Sequence, residues 1–136
     1  MEDFYPETYK LLPKEPFERA KVREISETIN AGTQPLQNLS VINRYSSDPE
    51  QRKTWSQYWI SKGLKVVEEL LVKSSGNFCV GDQITMADCC LVPQIYNANR
   101  FEVDMSHFPN ITRIMKSLEL EKAFISAHPD SQPDKP

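Results

Sequence analysis

Apolar residues recur along this 136-residue chain at spacings of three and four, and almost nowhere in strict alternation. That period belongs to helices with one buried face. After Pro16, a residue type favoured in a first helical turn, Phe17, Ala20, Val22, Ile25 and Ile29 trace such a stripe. Glu18, Arg19, Lys21, Arg23, Glu24 and Glu27 fill the other face. Gly32 and Pro35 interrupt the pattern. The missing N–H and the ring of Pro35 predict a kink or a short break, after which Leu36, Leu39, Val41 and Ile42 resume the helical period.

Asp48-Pro49, with Gln51 three places after the aspartate, has the form of a capped helix start. Trp55, Trp59, Val66, Leu70 and Leu71 follow on one predicted stripe, so the helix is long. Gly63 costs helix propensity there, which predicts close packing against a neighbour. Gly76 is placed where a left-handed cap would end the helix. After the loop Phe78-Cys79-Val80-Gly81-Asp82, Thr85-Met86-Ala87-Asp88 forms a capping box, with Thr85 and Asp88 as its structural pair. The helix beyond it is nearly uncharged up to Ala98 and is predicted to be central and surrounded by protein, with Pro93 bending it. Pro109-Asn110-Ile111 opens another helix with Ile114, Met115 and Leu118 on its face, and a last one holds Ala123, Phe124 and Ile125. Pro6 and Pro13 break regular structure near the start.

The predicted organisation is one all-α domain over residues 16–128. A lead-in segment, 1–15, precedes it, and a polar, proline-rich tail, 129–136, is predicted to be disordered. An apolar fraction of 39% suits a single packed core. Charged residues of both signs are interspersed, and the net charge of −3 gives no reason to expect nucleic acid or a membrane as partner. The chain opens Met1-Glu2-Asp3-Phe4, acidic where a secretory signal would be basic. Cys79, Cys89 and Cys90 are odd in number and two are adjacent, which favours a reducing, cytoplasmic setting over a disulfide framework. His107 and His128 are isolated, so no metal site is expected. No nucleophile–base pair or phosphate-binding glycine loop stands out.

The string Phe78-Cys-Val-Gly-Asp-Gln-Ile-Thr-Met-Ala-Asp88 resembles the signature of the glutathione transferase C-terminal domain. Gln34-Pro35-Leu36-Gln37-Asn38-Leu39-Ser40 resembles the first long helix of the zeta class, the maleylacetoacetate isomerases. Leu91-Val92-Pro93-Gln94, Asn97-Ala98-Asn99-Arg100-Phe101 and the ending His128-Pro129…Gln132-Pro133-Asp134 are similar to the same class. The resemblance runs from about Leu11 to the tail and implies a glutathione transferase C-terminal-like helical bundle. It also implies an N-terminal thioredoxin-like domain with a Ser-Ser-Cys-x-Trp-Arg motif that activates glutathione. That motif does not occur in this sequence, in which the lead-in segment matches only the end of such a domain.

Site residues follow from the resemblance alone. It implies that Gln34, Asn38, Leu39 and Ser40 lie near glutathione, and that Gln34 and Arg100 contact substrate. Without it, Gln34 and Asn38, four apart, read as one hydrated helical face near a kink. Arg100 reads as a cation favoured at a helix C-terminus. With it, Arg100 suits the carboxylates of maleylacetoacetate-like small acids, which a guanidinium grips bidentately. No catalytic residue is expected within this chain.

Two function classes follow. One is glutathione-dependent cis–trans isomerisation of maleylacetoacetate to fumarylacetoacetate in tyrosine and phenylalanine breakdown. A homodimeric parent protein would carry it, with glutathione as co-substrate. The other is a non-catalytic interaction module, built on whatever apolar surface an absent first domain would leave uncovered.

Overall fold

The computed structural model describes residues 4–5 and 7–133. Pro6 and residues 1–3 and 134–136, which include the acidic start and Asp134, lie outside the described residues. Among the described residues six helices follow one another: α1 (Pro16–Asn30), α2 (Leu39–Tyr45), α3 (Pro49–Ser74), α4 (Met86–Arg100), α5 (Pro109–Leu118) and α6 (Lys122–Ala127). Turns of 3-10 helix occupy Gln34–Gln37, Met105–His107 and Pro129–Ser131. No strand occurs among the described residues, only an isolated bridge between Ser75 and Gly81.

One core joins α1, α3, α4 and α5. Val22, Ile25 and Ile29 of α1 meet Ile60, Leu64, Val67 and Leu71 of α3, Leu91, Ile95 and Ala98 of α4, and Ile111, Ile114 and Leu118 of α5. The lead-in segment packs on this body: Leu11 accepts a hydrogen bond from the Met86 N–H (3.0 Å), and Leu12 rests on the core. Glu68, on α3, receives the N–H groups of Asn110 (2.8 Å) and Ile111 (3.0 Å), so a carboxylate from another helix caps α5.

The buried faces differ from the predicted stripes. On α1 the buried set is Val22, Ile25, Ser26 and Ile29; Phe17 is exposed beneath the Lys21 amine and Ala20 faces solvent, because α1 meets its neighbours only after its first turn. On α3 the buried stripe is Ser56, Ile60, Leu64, Val67 and Leu71. Of the predicted stripe, Leu71 alone is buried; Trp55, Trp59 and Leu70 lie at its half-buried edge and Val66 is exposed. The two tryptophans extend an aromatic row from Tyr45 to Tyr58 instead.

Gly76 is not the left-handed residue of the following loop; Gly81 is, with φ of 63°. A Cβ at Gly76 would instead stand 2.4 Å from the Asp82 carboxylate and 2.7 Å from the Gly81 carbonyl, so that glycine is a close-approach site. Asp48 caps α3 by accepting from the Glu50 N–H (3.0 Å), while Gln51 accepts from the Ser46 hydroxyl rather than closing a box. Helix α4 is not enclosed: Ala87, Asp88, Leu91, Gln94, Ile95 and Ala98 are buried, but Cys89, Pro93 and Tyr96 are exposed. Of the tail predicted to be disordered, only 129–133 lie within the described residues. Pro129–Ser131 forms a helical turn, Gln132 donates to the Ser126 carbonyl (2.8 Å), and the His128 ring lies edge-on to Tyr96. Local hydrogen bonds and one aromatic contact hold residues whose composition alone is that of a free tail.

Candidate functional site

Asp88, buried at the head of α4, accepts three hydrogen bonds: from the Thr85 N–H (2.8 Å), the Thr85 hydroxyl (3.0 Å) and the Cys79 N–H (2.9 Å). The carboxylate fixes the start of α4 and the loop before it at once. Burial pushes the Cys79 thiol far up, and the Asp88 charge adds to that; the same two causes, in the same order, raise Cys89. Both thiols are thereby held protonated, the opposite of an activated nucleophile.

Gln34, Asn38, Leu39 and Ser40 gather at the corner between α1 and α2. They do not share a helical face. Gln34 begins the 3-10 turn, whereas Asn38 is the extended N-cap of α2 (φ −65°, ψ 139°). The Asn38 side-chain oxygen accepts from the Ser40 N–H (2.9 Å) and hydroxyl (2.8 Å), so one carboxamide oxygen caps α2 and engages the Ser40 hydroxyl. Gln34, Asn38, Leu39 and Ser40 are all exposed.

Two anchors hold this corner. The Trp55 indole donates to the Leu36 carbonyl (2.8 Å). Gln37, buried between the exposed residues, donates to Gln94 of α4 (2.6 Å) and accepts from Asn97. Asn97 lies three residues before Arg100, hence on the same side of α4. The corner is therefore tied to the turn of α4 that carries Arg100. The chain beyond that turn is held too. Gln57 donates to the Phe101 carbonyl (2.9 Å), and Lys53 pairs with Glu102 (2.6 Å), a residue in the left-handed region (φ 56°). Arg100 is exposed and has no ion pair among the described residues, so its guanidinium is available to an incoming anion.

Sequence reasoning singled out Gln34, Asn38, Leu39, Ser40 and Arg100 but missed the residues that connect them, Gln37, Gln94 and Asn97. The signal for Gln94 was present: a polar side chain on the buried side of a nearly uncharged helix needs a polar partner.

A cavity lies elsewhere, along α4. It measures about 530 Å³ and is walled mainly by Val92, Pro93, Tyr96, Met115, Phe124 and Ile125. None of the predicted site residues lines it. Its walls are apolar, and it suits a packing surface better than a site for charged substrates. Among the described residues no group of three His, Cys, Asp or Glu side chains gathers for a metal ion, and no helix is long and apolar enough to cross a membrane.

A family model described as the glutathione S-transferase C-terminal domain matches residues 37–125. A probable maleylacetoacetate isomerase of Drosophila melanogaster is 53% identical over 126 residues, which cover 93% of this chain and 55% of that protein. The crystal structure of maleylacetoacetate isomerase from Anaeromyxobacter dehalogenans, with bound dicarboxyethyl glutathione and citrate in its active site, superposes with a TM-score of 0.94. It is 40% identical, with 99% of this chain and 61% of that chain covered. A maleylpyruvate isomerase described as a bacterial glutathione S-transferase of the zeta class superposes with a TM-score of 0.93 at 32% identity, covering 99% of this chain and 66% of that one. The chain thus spans little more than half the length of the fly protein and under two thirds of the Anaeromyxobacter chain. Fold, motif and relatives converge: the chain belongs to the glutathione transferase family, as a C-terminal helical domain of the zeta class.

Proposed function

We propose that this chain is the substrate-side half of a cytoplasmic maleylacetoacetate isomerase that works as a homodimer. The observation that carries the reading is the tie between the exposed corner at Gln34–Ser40 and the unpaired Arg100, made through Gln37 and Asn97. Glutathione, when bound, supplies a thiolate. The thiolate adds to the cis double bond, the resulting single bond rotates, and expulsion of the thiolate restores the double bond as trans. Against that chemistry, Asn38 Nδ2, the Ser40 hydroxyl and Gln34 offer polar contacts to a peptide-like ligand. Leu39 offers apolar surface beside them. Arg100 offers a planar, permanently charged fork for a substrate carboxylate. No activated thiol or base stands among these residues, so thiolate formation is assigned to the part of the relatives that this chain does not match.

The apolar cavity beside α4 is assigned to packing against that same part. This favours the enzyme reading over the free interaction module, because the one part of the relatives that this chain does not match then accounts for both the apolar surface and the thiol chemistry.

The test is turnover of maleylacetoacetate with glutathione. The 136-residue chain alone is expected to show none. The same chain joined to the unmatched N-terminal part of the fly relative is expected to turn over. Activity of the chain alone, or silence of a folded joined protein, would overturn the reading.

A further inference from the structure

The buried amide cluster on α4 is more than packing. Gln94 is 1% exposed and Gln37 8% exposed, so neither can turn to water for its hydrogen bonds. Gln37 gives its amide hydrogen to Gln94 Oε1 at 2.6 Å. Its own oxygen receives Asn97 Nδ2 and, at 3.4 Å, Gln94 Nε2. Partners 57 and 60 residues away in sequence thus fix one side chain at both ends. Besides the Trp55–Leu36 bond, the backbone around Gln37 is held by long turn bonds, Leu36 N–H to the Thr33 carbonyl (3.2 Å) and Asn38 N–H to the Pro35 carbonyl (3.5 Å). Its 3-10 turn is four residues long and Asn38 leaves it in an extended conformation. Such a turn has weak internal hydrogen bonding and depends on outside partners for its geometry.

We propose that Gln37, Gln94 and Asn97 are positioning residues: their amide cluster sets the place and rigidity of the Asn38–Ser40 segment relative to Arg100. The inference rests on the assignment of that segment to glutathione. None of the three needs to touch the ligand. Gln37 is buried, and both ends of its carboxamide are occupied. Its adjacency to Asn38 transmits the constraint: a shift of the turn displaces the α2 N-cap and with it the Ser40 N–H that the cap holds. Trp55, bonded to Leu36 on the other side of the turn, is the built-in reporter.

Hydrogen exchange on the 136-residue chain tests the cluster directly. In Gln37→Leu, the amides of Val41 and Ile42, which donate to the Asn38 carbonyl, and the Trp55 indole should exchange about tenfold faster or more. The amides of Ile114 and Leu118 in α5 should keep their rates. Asn97→Ala, which removes one contact at a half-buried position, should give a smaller effect at the same sites if Gln37→Leu proves too unstable to study. Gln37→Glu keeps the acceptor contacts but sets a carboxylate oxygen against Gln94 Oε1 and buries a charge, so it should not restore the protection.

In the joined protein, Gln37→Leu should raise the KM for glutathione about tenfold while kcat falls far less, and Gln37→Glu, which lacks the donor to Gln94, should not restore it. Uniform acceleration across α2 and α5, or none at Val41 and Ile42, would overturn the proposal. If wild-type joined protein is inactive, the glutathione assignment fails, and the exchange pattern still decides whether the cluster holds the turn.

Discussion

Replacing Asp88 with alanine is expected to lower the unfolding free energy by about 4 kcal/mol, from the loss of a cap and the exposure of buried donors to no acceptor. Three donors lose their partner together: the Thr85 N–H, the Thr85 hydroxyl and the Cys79 N–H. Thr85 is 2% exposed and Cys79 fully buried, so water cannot replace the carboxylate without opening the loop. A domain of this size has a total stability of about 5–15 kcal/mol, so the loss would leave it marginal. Asp88→Asn keeps one acceptor oxygen and should cost about half as much. Urea denaturation followed by helical circular dichroism measures both, with the slope expected to stay constant. A loss below about 1 kcal/mol for the alanine variant would reduce Asp88 to an ordinary surface cap.

The second large effect runs against helix propensity. An alanine at an exposed mid-helix glycine usually stabilises by about 1 kcal/mol. At Gly63 we expect the opposite sign: about 2 kcal/mol of destabilisation for Gly63→Ala and about 3 for Gly63→Val, as overpacking values suggest. A Cβ there would stand 2.0 Å from Thr33 Oγ1, 2.9 Å from its Cγ2 and 3.0 Å from its Cβ. Thr33, 1% exposed, can turn its Oγ1 aside only by giving up the hydroxyl's bond to the Thr28 carbonyl (3.0 Å). Relief therefore costs that bond or a shift of the backbone next to Gln34, where the candidate site begins. Pairing Gly63→Ala with Thr33→Ala should recover most of the loss, a coupling that a double-mutant cycle reads directly. Stabilisation by Gly63→Ala alone would contradict the packing described.

These two residues also mark how far the sequence could be read. The Thr85–Asp88 pair was visible because a capping box is local, spanning only four positions. Gly63 was legible as a site of close packing, but its neighbour Thr33 lies across a tertiary contact that no periodicity encodes. The helices themselves followed from the period of apolar residues. Their faces slipped where polar residues are buried: Ser26, Ser56 and Gln94 lie in the core and displace the apparent stripe. On α3, Trp55 and Trp59 dominated the pattern by size, yet they serve a half-buried aromatic row. Composition suggested a disordered tail, although Gln132 and His128 supply enough local bonding to fold its first turn. For the proposed site, resemblance named its exposed residues. The amides that hold them were hidden because their partners lie about sixty residues apart in sequence.

The account stands most directly on Arg100. In the joined protein, the KM for maleylacetoacetate should rise about 30-fold in Arg100→Ala, as expected for loss of a charge-assisted, bidentate contact of about 2 kcal/mol. The KM for glutathione should stay within about twofold, since that ligand is assigned to Gln34–Ser40. An unchanged KM for the acid would make Arg100 a solvated helix-end residue and contradict the site described.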